Sequence, residues 1–221
     1  MRTEFDEQLG QLHDQLVRMG GLCEEAICAA AAALEGGAAA KDARAAQLEL
    51  EIDHLERDAE ASCMRLLLLQ QPVASDLRAV SAALRMIADL ERIGDQAADI
   101  AELTPYLAAD ADRLPLQQMA AATVEMVRGS VRAFVDSDDA LARTVIAADD
   151  RVDALFGAVK RDLLALIQHK GIAAEPALDT LMAAKYFERI GDHAVNVAEW
   201  VVYAVTGVHE SSEHHAALTQ A

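Results

Sequence analysis

Hydrophobic and charged residues are interleaved along the chain in six long segments, and the longest uninterrupted run of leucine, isoleucine or valine covers only residues 66–69. Interleaving of this kind over about 30 residues is typical of amphipathic helices that pack lengthwise against each other. Alanine, the best helix former, is abundant, and the aromatic residues that favour strands make up only 4%. We therefore predict an all-α protein with helices at about residues 3–34, 42–70, 73–103, 116–135, 138–169 and 176–205.

Glycine and proline mark the predicted helix ends. Gly36-Gly37 is expected to end the first helix and Pro72 to break the second, while Ser75 or Asp76 could cap the third. Residues 104–115 form a predicted linker with proline near both ends and with Asp110 and Asp112 between them. Pro176 suits the first turn of the sixth helix.

The chain repeats itself. Residues 87–103 and 184–200 are identical at 8 of 17 positions, including an unbroken Glu-Arg-Ile-Gly-Asp run, and the two runs lie 97 residues apart. A weaker echo relates Asp53 to Asp153, 100 residues later. Duplication of a helical unit accounts for both matches. We predict two tandem antiparallel three-helix bundles, at residues 1–103 and 116–206, followed by a flexible His-rich tail at 207–221.

Charge restricts the possible partners. The formal net charge is −18, so the chain would repel nucleic acid, anionic lipid and free phosphate. No apolar run approaches the roughly 20 residues of a membrane-spanning helix. We expect a cytoplasmic protein that reaches a membrane only through partners. Its natural complements are multivalent cations and basic protein surfaces.

The cysteines do not suggest a disulfide framework. Cys23, Cys28 and Cys63 are odd in number and show no paired spacing. We expect small buried thiols in a reducing compartment.

Carboxylates at helical spacing are the main candidates for chemistry. A pair of acidic residues four positions apart occurs twice in each repeat, and if the helix faces meet, four carboxylates converge in each bundle. Convergent carboxylates need protons or a cation, and all-oxygen ligation suits Mg²⁺, Ca²⁺, Mn²⁺ or ferric iron. The predicted ligands are Glu49, Asp53, Glu91, Asp95, Asp149, Asp153, Glu188 and Asp192, with Asp99 and Asn196 as secondary candidates.

Other polar features have simpler interpretations. Gly94 and Gly191 lie inside predicted helices, where close helix packing is favoured over room for a metal. His193 is interpreted as a surface or core residue rather than a ligand, and His209, His214 and His215 belong to the predicted tail. No phosphate-binding loop, nucleophile elbow or organic cofactor motif is present, so we predict that the chain is not an enzyme.

Three stretches resemble the PhoU family of phosphate-specific transport accessory proteins. They are Gln71-Pro72-Val-Ala-Ser75-Asp76-Leu77-Arg78, Leu90-Glu-Arg-Ile-Gly-Asp95, and Phe187-Glu-Arg-Ile-Gly-Asp-His-Ala-Val-Asn196-Val-Ala-Glu199. The resemblance covers nearly the whole chain up to Gly207 and implies the two-bundle fold, often as a homodimer.

The resemblance also implies a function. PhoU-like proteins are cytoplasmic negative regulators that link the phosphate ABC transporter to a phosphate-sensing histidine kinase, and some members bind metal through the four acidic pairs. All four pairs are intact here, although Asn196 stands where the first repeat has Asp99. The two sites are therefore expected to differ in charge and affinity.

Two alternatives remain open at this stage. A ferritin-like di-iron enzyme would need Glu-x-x-His ligands, which neither Glu-Arg-Ile-Gly-Asp helix contains. A metal-free helical adaptor, whose acidic faces bind basic partner surfaces directly, is compatible with every residue considered above.

Overall fold

A computed structural model describes residues 2–34, 38–108, 111 and 114–208, and within them the chain is all-helical with no strand. The six α-helices are α1 (Arg2–Leu34), α2 (Ala38–Arg65), α3 (Ser75–Leu103), α4 (Leu116–Asp136), α5 (Asp139–Lys170) and α6 (Ala174–Thr206). A π-helical segment, Leu66–Gln70, follows α2, and a 3₁₀ turn, Thr104–Tyr106, follows α3. The predicted fold class and six helices are confirmed.

The helix boundaries differ from the predictions in several places, since α2 begins at Ala38 rather than near residue 42 and α3 begins at Ser75 rather than near residue 73. The predicted second helix changes at Leu66 from α to π geometry but ends at Gln70 as predicted, before Gln71, whose φ is 47°. Neither Ser75 nor Asp76 caps α3, because Ala74 occupies the cap position, where no side chain forms a cap hydrogen bond. α6 begins at Ala174 rather than residue 176, which still leaves Pro176 in the first turn, where its missing N–H would have no helical partner.

Some predictions fall outside the described residues. These are the helix end at Gly36-Gly37, the linker residues Asp110 and Asp112, and the tail at residues 209–221 with its three histidines.

The two repeats pack through α3 and α6. Arg78 near the start of α3 reaches the Ala204 carbonyl near the end of α6, with Nε and O 3.5 Å apart. Beyond the other end of α3, the backbone N–H of Ala108 donates to the Thr180 hydroxyl near the start of α6, at 3.0 Å. α3 and α6 are therefore antiparallel, and an approximate two-fold axis relates the repeats.

A single hydrophobic core extends through both repeats. Its buried residues come from all six helices, and the largest include Leu16, Ile52, Ile93 and Phe187. α1 packs against α4 on the same pattern as α3 against α6. The three-helix units predicted from the repeat thus share their apolar interior, which fixes the acidic faces of α2–α3 and α5–α6 relative to each other.

Burial of the cysteines matches the prediction at two positions of three. Cys23 and Cys63 are buried, and their burial raises the pKa of each thiol, to about 12 for Cys63. Cys28 is exposed, contrary to expectation, because it lines an open groove between α1 and α4. None of the described helices has a stretch long and apolar enough to span a bilayer.

Candidate functional site

Three predicted metal ligands of the first repeat lie together on the surface between α2 and α3. Asp53, Glu91 and Asp95 each offer one carboxylate oxygen, and these oxygens lie within 4.8 Å of one another. We call these three residues the first cluster. Among the described residues it is the only group of three or more potential ligands this close together. Oxygens on opposite sides of a Ca²⁺ or Mn²⁺ ion lie about 4 to 5 Å apart, so the spacing suits a hard cation.

Crowding changes the protonation of the first cluster. Partial burial, aided by the negative charge of Asp95, raises the pKa of Glu91 to about 7, although Arg92 opposes the shift. Glu49 lies beside the cluster, and its pKa is also raised, first by loss of hydration and then by Asp95 and Asp53. Glu91 is therefore partly protonated at neutral pH, and a cation would have to displace that proton.

Two arginines partly neutralise the first cluster. Arg92 has its Nε 3.3 Å from Glu91 and its Nη1 3.0 Å from Asp95. Arg57 Nη2 lies 3.8 Å from Asp53. Neither Arg57 nor Glu56, whose charge contributes to the raised pKa of Glu91, was predicted to belong to this site. Glu56 and Arg57 could have been recognised from their positions three and four residues after Asp53, which place them on the same side of the helix.

The second repeat assembles the equivalent carboxylates more loosely. We call Asp149, Asp153, Glu188 and Asp192 the second cluster. Burial, followed by the charges of Asp192 and Asp153, raises the pKa of Asp149 to about 6. Loss of hydration and the charge of Glu188 raise the pKa of Asp192. Lys185 forms an ion pair with Glu188, so one carboxylate of the cluster already has a cation.

One oxygen of the second cluster lacks a partner. Asp149 Oδ1 is buried and accepts no hydrogen bond. A buried acceptor without a donor costs free energy, which a bound proton or cation would relieve. Gly191 lies beside this oxygen, and a Cβ built there would lie only 3.1 Å from it.

The two mid-helix glycines allow close packing between helices. A Cβ on Gly94 would lie 2.8 Å from Ile52 Cδ1, and one on Gly191 would lie 3.4 Å from Val152 Cγ1. Close helix packing, the favoured interpretation, is therefore confirmed at both positions. At Gly191 the missing side chain also leaves space beside the unpartnered oxygen of Asp149.

Both secondary candidates make contacts between the repeats. Tyr186 donates a hydrogen bond to Asp99, and Asn196 Nδ2 donates to Asp89 Oδ1 at 3.0 Å. His193 Nδ1 lies 2.9 Å from the same Asp89 oxygen, so its contact is with the other repeat. No sequence pattern predicts these pairs, because they depend on how α3 and α6 lie against each other.

The chain is similar to known proteins along most of its length. The PhoU domain is recognised at residues 16–104 and again at 116–201. A "phosphate-specific transport system accessory protein PhoU homolog" from Zymomonas mobilis is 37% identical over 206 residues, covering 92% of this chain and 87% of the relative. A homolog of the same name from Synechocystis is 34% identical, covering 95% and 94%.

Solved structures agree with the fold. The crystal structure of PhoU from Pseudomonas aeruginosa has a TM-score of 0.86 at 30% identity, covering 92% of this chain and 100% of that one. The phosphate transport system regulatory protein PhoU from Streptococcus pneumoniae has a TM-score of 0.84 at 26% identity, covering 93% and 98%.

Proposed function

Because the chain belongs to the PhoU family, we propose that it is an accessory protein of a phosphate transport system that restrains phosphate uptake and phosphate-starvation signalling. The observation that carries the proposal is the pair of PhoU domains, which together span residues 16–201 with a single short break. Relatives over almost the full length are named as transport accessory and regulatory proteins and not as enzymes, which agrees with the predicted absence of catalysis.

The acidic surface supports an adaptor role. With a net charge of −18, the helical faces favour basic surfaces of other proteins, and such charges steer association and give it salt dependence. In this proposal the chain works in the cytoplasm, at times at the inner face of the membrane through its partners. Those partners are the cytoplasmic subunits of the phosphate ABC transporter and a phosphate-sensing histidine kinase, and a second copy of the chain forms a homodimer with it.

We further propose that the first cluster holds a hard cation. The donor set fits, since Asp53, Glu91 and Asp95 supply only carboxylate oxygens at a compatible spacing, with Glu49 next to them. Mg²⁺, Ca²⁺, Mn²⁺ and ferric iron all favour such ligands, and the ion would neutralise a charge that burial makes costly. The second cluster is the equivalent but weaker site, because its carboxylates do not bring three oxygens within 4.8 Å of one another.

Of the two alternative functions, the metal-free adaptor has more support than the di-iron enzyme. Among the residues that the structure describes, the one close group of potential ligands holds three carboxylates and no histidine, which is unlike a His-containing di-iron centre. A metal-free adaptor has a specific observation in its favour, because Arg57 and Arg92 already stand beside the first cluster. Both arginines are largely exposed, so they offset the charge only partly.

Co-purification tests the adaptor role. Affinity-tagged chain, expressed from its own promoter, should retain the transporter's ATPase subunit and the sensor kinase at low salt and lose both as salt screens the contact. A tagged variant in which Asp149 and Asp153 are both replaced by Asn should retain less of each partner. If wild-type chain retains neither partner at low salt, the adaptor function is wrong.

A further inference from the structure

An apolar groove lies between α5 and α6 near the turn that joins them. It has a volume of about 380 Å³ and is lined by Leu163, Leu164, Ile167, Ala177, Leu178 and Leu181. We call it the α5–α6 groove. Leu164 and Leu178 expose 58% and 61% of their surfaces and line the same groove from its two helices. Contiguous exposed apolar surface of this kind marks an interaction site.

Small side chains open the groove in the second repeat. Ala174 and Ala177 occupy the positions that Leu77 and Val80 occupy 97 residues earlier. Val80 is fully buried in the first repeat, so a larger side chain at this position fills space between the helices there. The two repeats therefore differ at these positions, and the smaller side chains of the second repeat leave a concave aliphatic surface.

The groove is continuous with the second cluster. Lys160 lines one end of the groove, and its Nζ lies 4.5 Å from the ring centroid of Phe156. Lys185 Nζ lies 5.5 Å from the same centroid and pairs with Glu188 of the second cluster. One surface along α5 and α6 therefore runs from aliphatic side chains, past a lysine-covered ring, to a group of carboxylates.

Charge and shape together specify the partner. The four carboxylates of the second cluster outnumber the two lysines, so this end of the surface attracts cationic side chains. The groove runs along α5 from Lys160 to Ile167, about 10 Å, which is the length of two helical turns. Aliphatic side chains at i, i+3 or i+4, and i+7 of a bound helix repeat over the same distance.

We propose that the α5–α6 groove and the second cluster together bind one amphipathic helix of a partner protein. Its aliphatic residues enter the groove, and its lysines or arginines, about two turns further along the same face, contact the second cluster. The proposal rests on the adaptor function and gives it a site and a recognisable partner chemistry.

A designed peptide provides the test. The probe is a fluorescein-labelled helical peptide of about 16 residues, with leucines at i, i+3, i+4 and i+7 and two lysines about two turns further on the same face. Its anisotropy is measured with the full chain. A scrambled peptide of the same composition is the first control, and it should bind at least about tenfold more weakly because its leucines no longer share a face.

Two variants locate the binding site. Leu178→Ser, which installs the residue found at Ser81 of the first repeat, should weaken binding about tenfold or more, since an exposed leucine anchor is lost. Ala174→Leu should do the same by filling the groove. Leu68→Ser is the matched control, because Leu68 is 69% exposed at the tip of the first repeat, and it should leave binding unchanged. Unchanged urea midpoints show that Leu178→Ser folds, so this variant suffices if Ala174→Leu does not fold.

Three results would overturn the proposal: no binding of the patterned peptide, equal binding of the scrambled one, or equal weakening by Leu68→Ser. Sedimentation with phosphatidylcholine vesicles that Leu178→Ser abolishes, without peptide binding, would assign the groove to lipid and also overturn it. If peptide binding fails while the tagged chain still retains its transporter partner, only the groove proposal falls and the adaptor function stands.

Discussion

His193 on α6 places its Nδ1 2.9 Å from Oδ1 of Asp89 on α3, so a polar contact joins the two repeats across their packed helices. The approximate two-fold axis between the repeats generates an equivalent of one contact to Asp89. Tyr186 and Asn196 lie 97 residues after Asp89 and Asp99, and the Asn196–Asp89 hydrogen bond has its counterpart in the Tyr186–Asp99 hydrogen bond. These contacts fix the register between the repeats, and hence between their acidic faces.

Removing the shared acceptor should destabilise the protein. Asp89→Ala leaves both His193 Nδ1 and Asn196 Nδ2 without their acceptor in a half-buried setting, and we expect a loss of about 1–2 kcal/mol in the free energy of unfolding. Urea denaturation measures it. Asp136→Ala is the control, because its exposed pair with Arg132 contributes about 0.5 kcal/mol or less. Equal losses in the two variants would show that the contact between repeats is not stabilising.

Stability should depend on pH through Glu91. Its pKa is raised in the folded protein from 4.5 to about 7, so between these values the folded state binds more protons than the unfolded state. The free energy of unfolding should therefore be highest near pH 4.5, fall by about 1–2 kcal/mol as the pH rises towards 7, and level off above pH 7.

Glu91→Gln isolates this effect. The variant should be more stable than the wild type at pH 8 and should show a flatter decline between about pH 5 and 7, measured by urea denaturation across that range. The raised pKa values of Asp149 and Asp192 act in the same direction and will leave part of the slope in place. A variant with the same slope as the wild type would contradict the assignment.

Metal binding should involve both repeats unequally. Asp95→Asn should reduce bound Mn²⁺ or iron more than Asp192→Asn, because the first cluster is the more compact, and the double variant should reduce it further. Affinity should rise from pH 6 to pH 8, since a cation must displace the proton from Glu91. Elemental analysis of purified protein and titration calorimetry measure both effects, with Asp136→Asn as the control. Equal metal content in wild type and double variant would remove the carboxylates as ligands.

The mid-helix glycines should resist substitution. Gly94→Ala gains about 1 kcal/mol of helix propensity but places a Cβ 2.8 Å from Ile52, so we expect a net loss of about 1 kcal/mol. Gly10→Ala is the matched control, because nothing lies within 4 Å of its added Cβ, and it should stabilise by about 0.5–1 kcal/mol. Thermal unfolding separates the two outcomes, and stabilisation by both substitutions would mean that Gly94 is not needed for close packing.

Local signals made much of the fold predictable. Helix periodicity, alanine content and the 97-residue repeat were enough for six helices and for the acidic pairs on α2 and α3, because each depends on residues close in sequence. Close packing at Gly94 was predicted from the energetic cost of glycine inside a helix, whereas its partner Ile52 is known only from the structure.

Features that depend on tertiary packing were not predictable. The π-helical segment Leu66–Gln70 replaces α-helix where the sequence pattern shows no break. The pairing of His193 with Asp89 requires α3 and α6 to be antiparallel, which a one-dimensional pattern does not encode. The α5–α6 groove arises from two alanines whose small size matters only once neighbouring helices are in place.

The central claim, that the chain restrains phosphate-starvation signalling, is tested most directly by a reporter for a phosphate-starvation promoter in cells grown with plentiful phosphate. Deleting the chain should leave the reporter active there, and restoring the wild-type chain should silence it again. A reporter that stays silent in the deletion strain, under the same conditions in which wild-type cells silence it, would contradict the account.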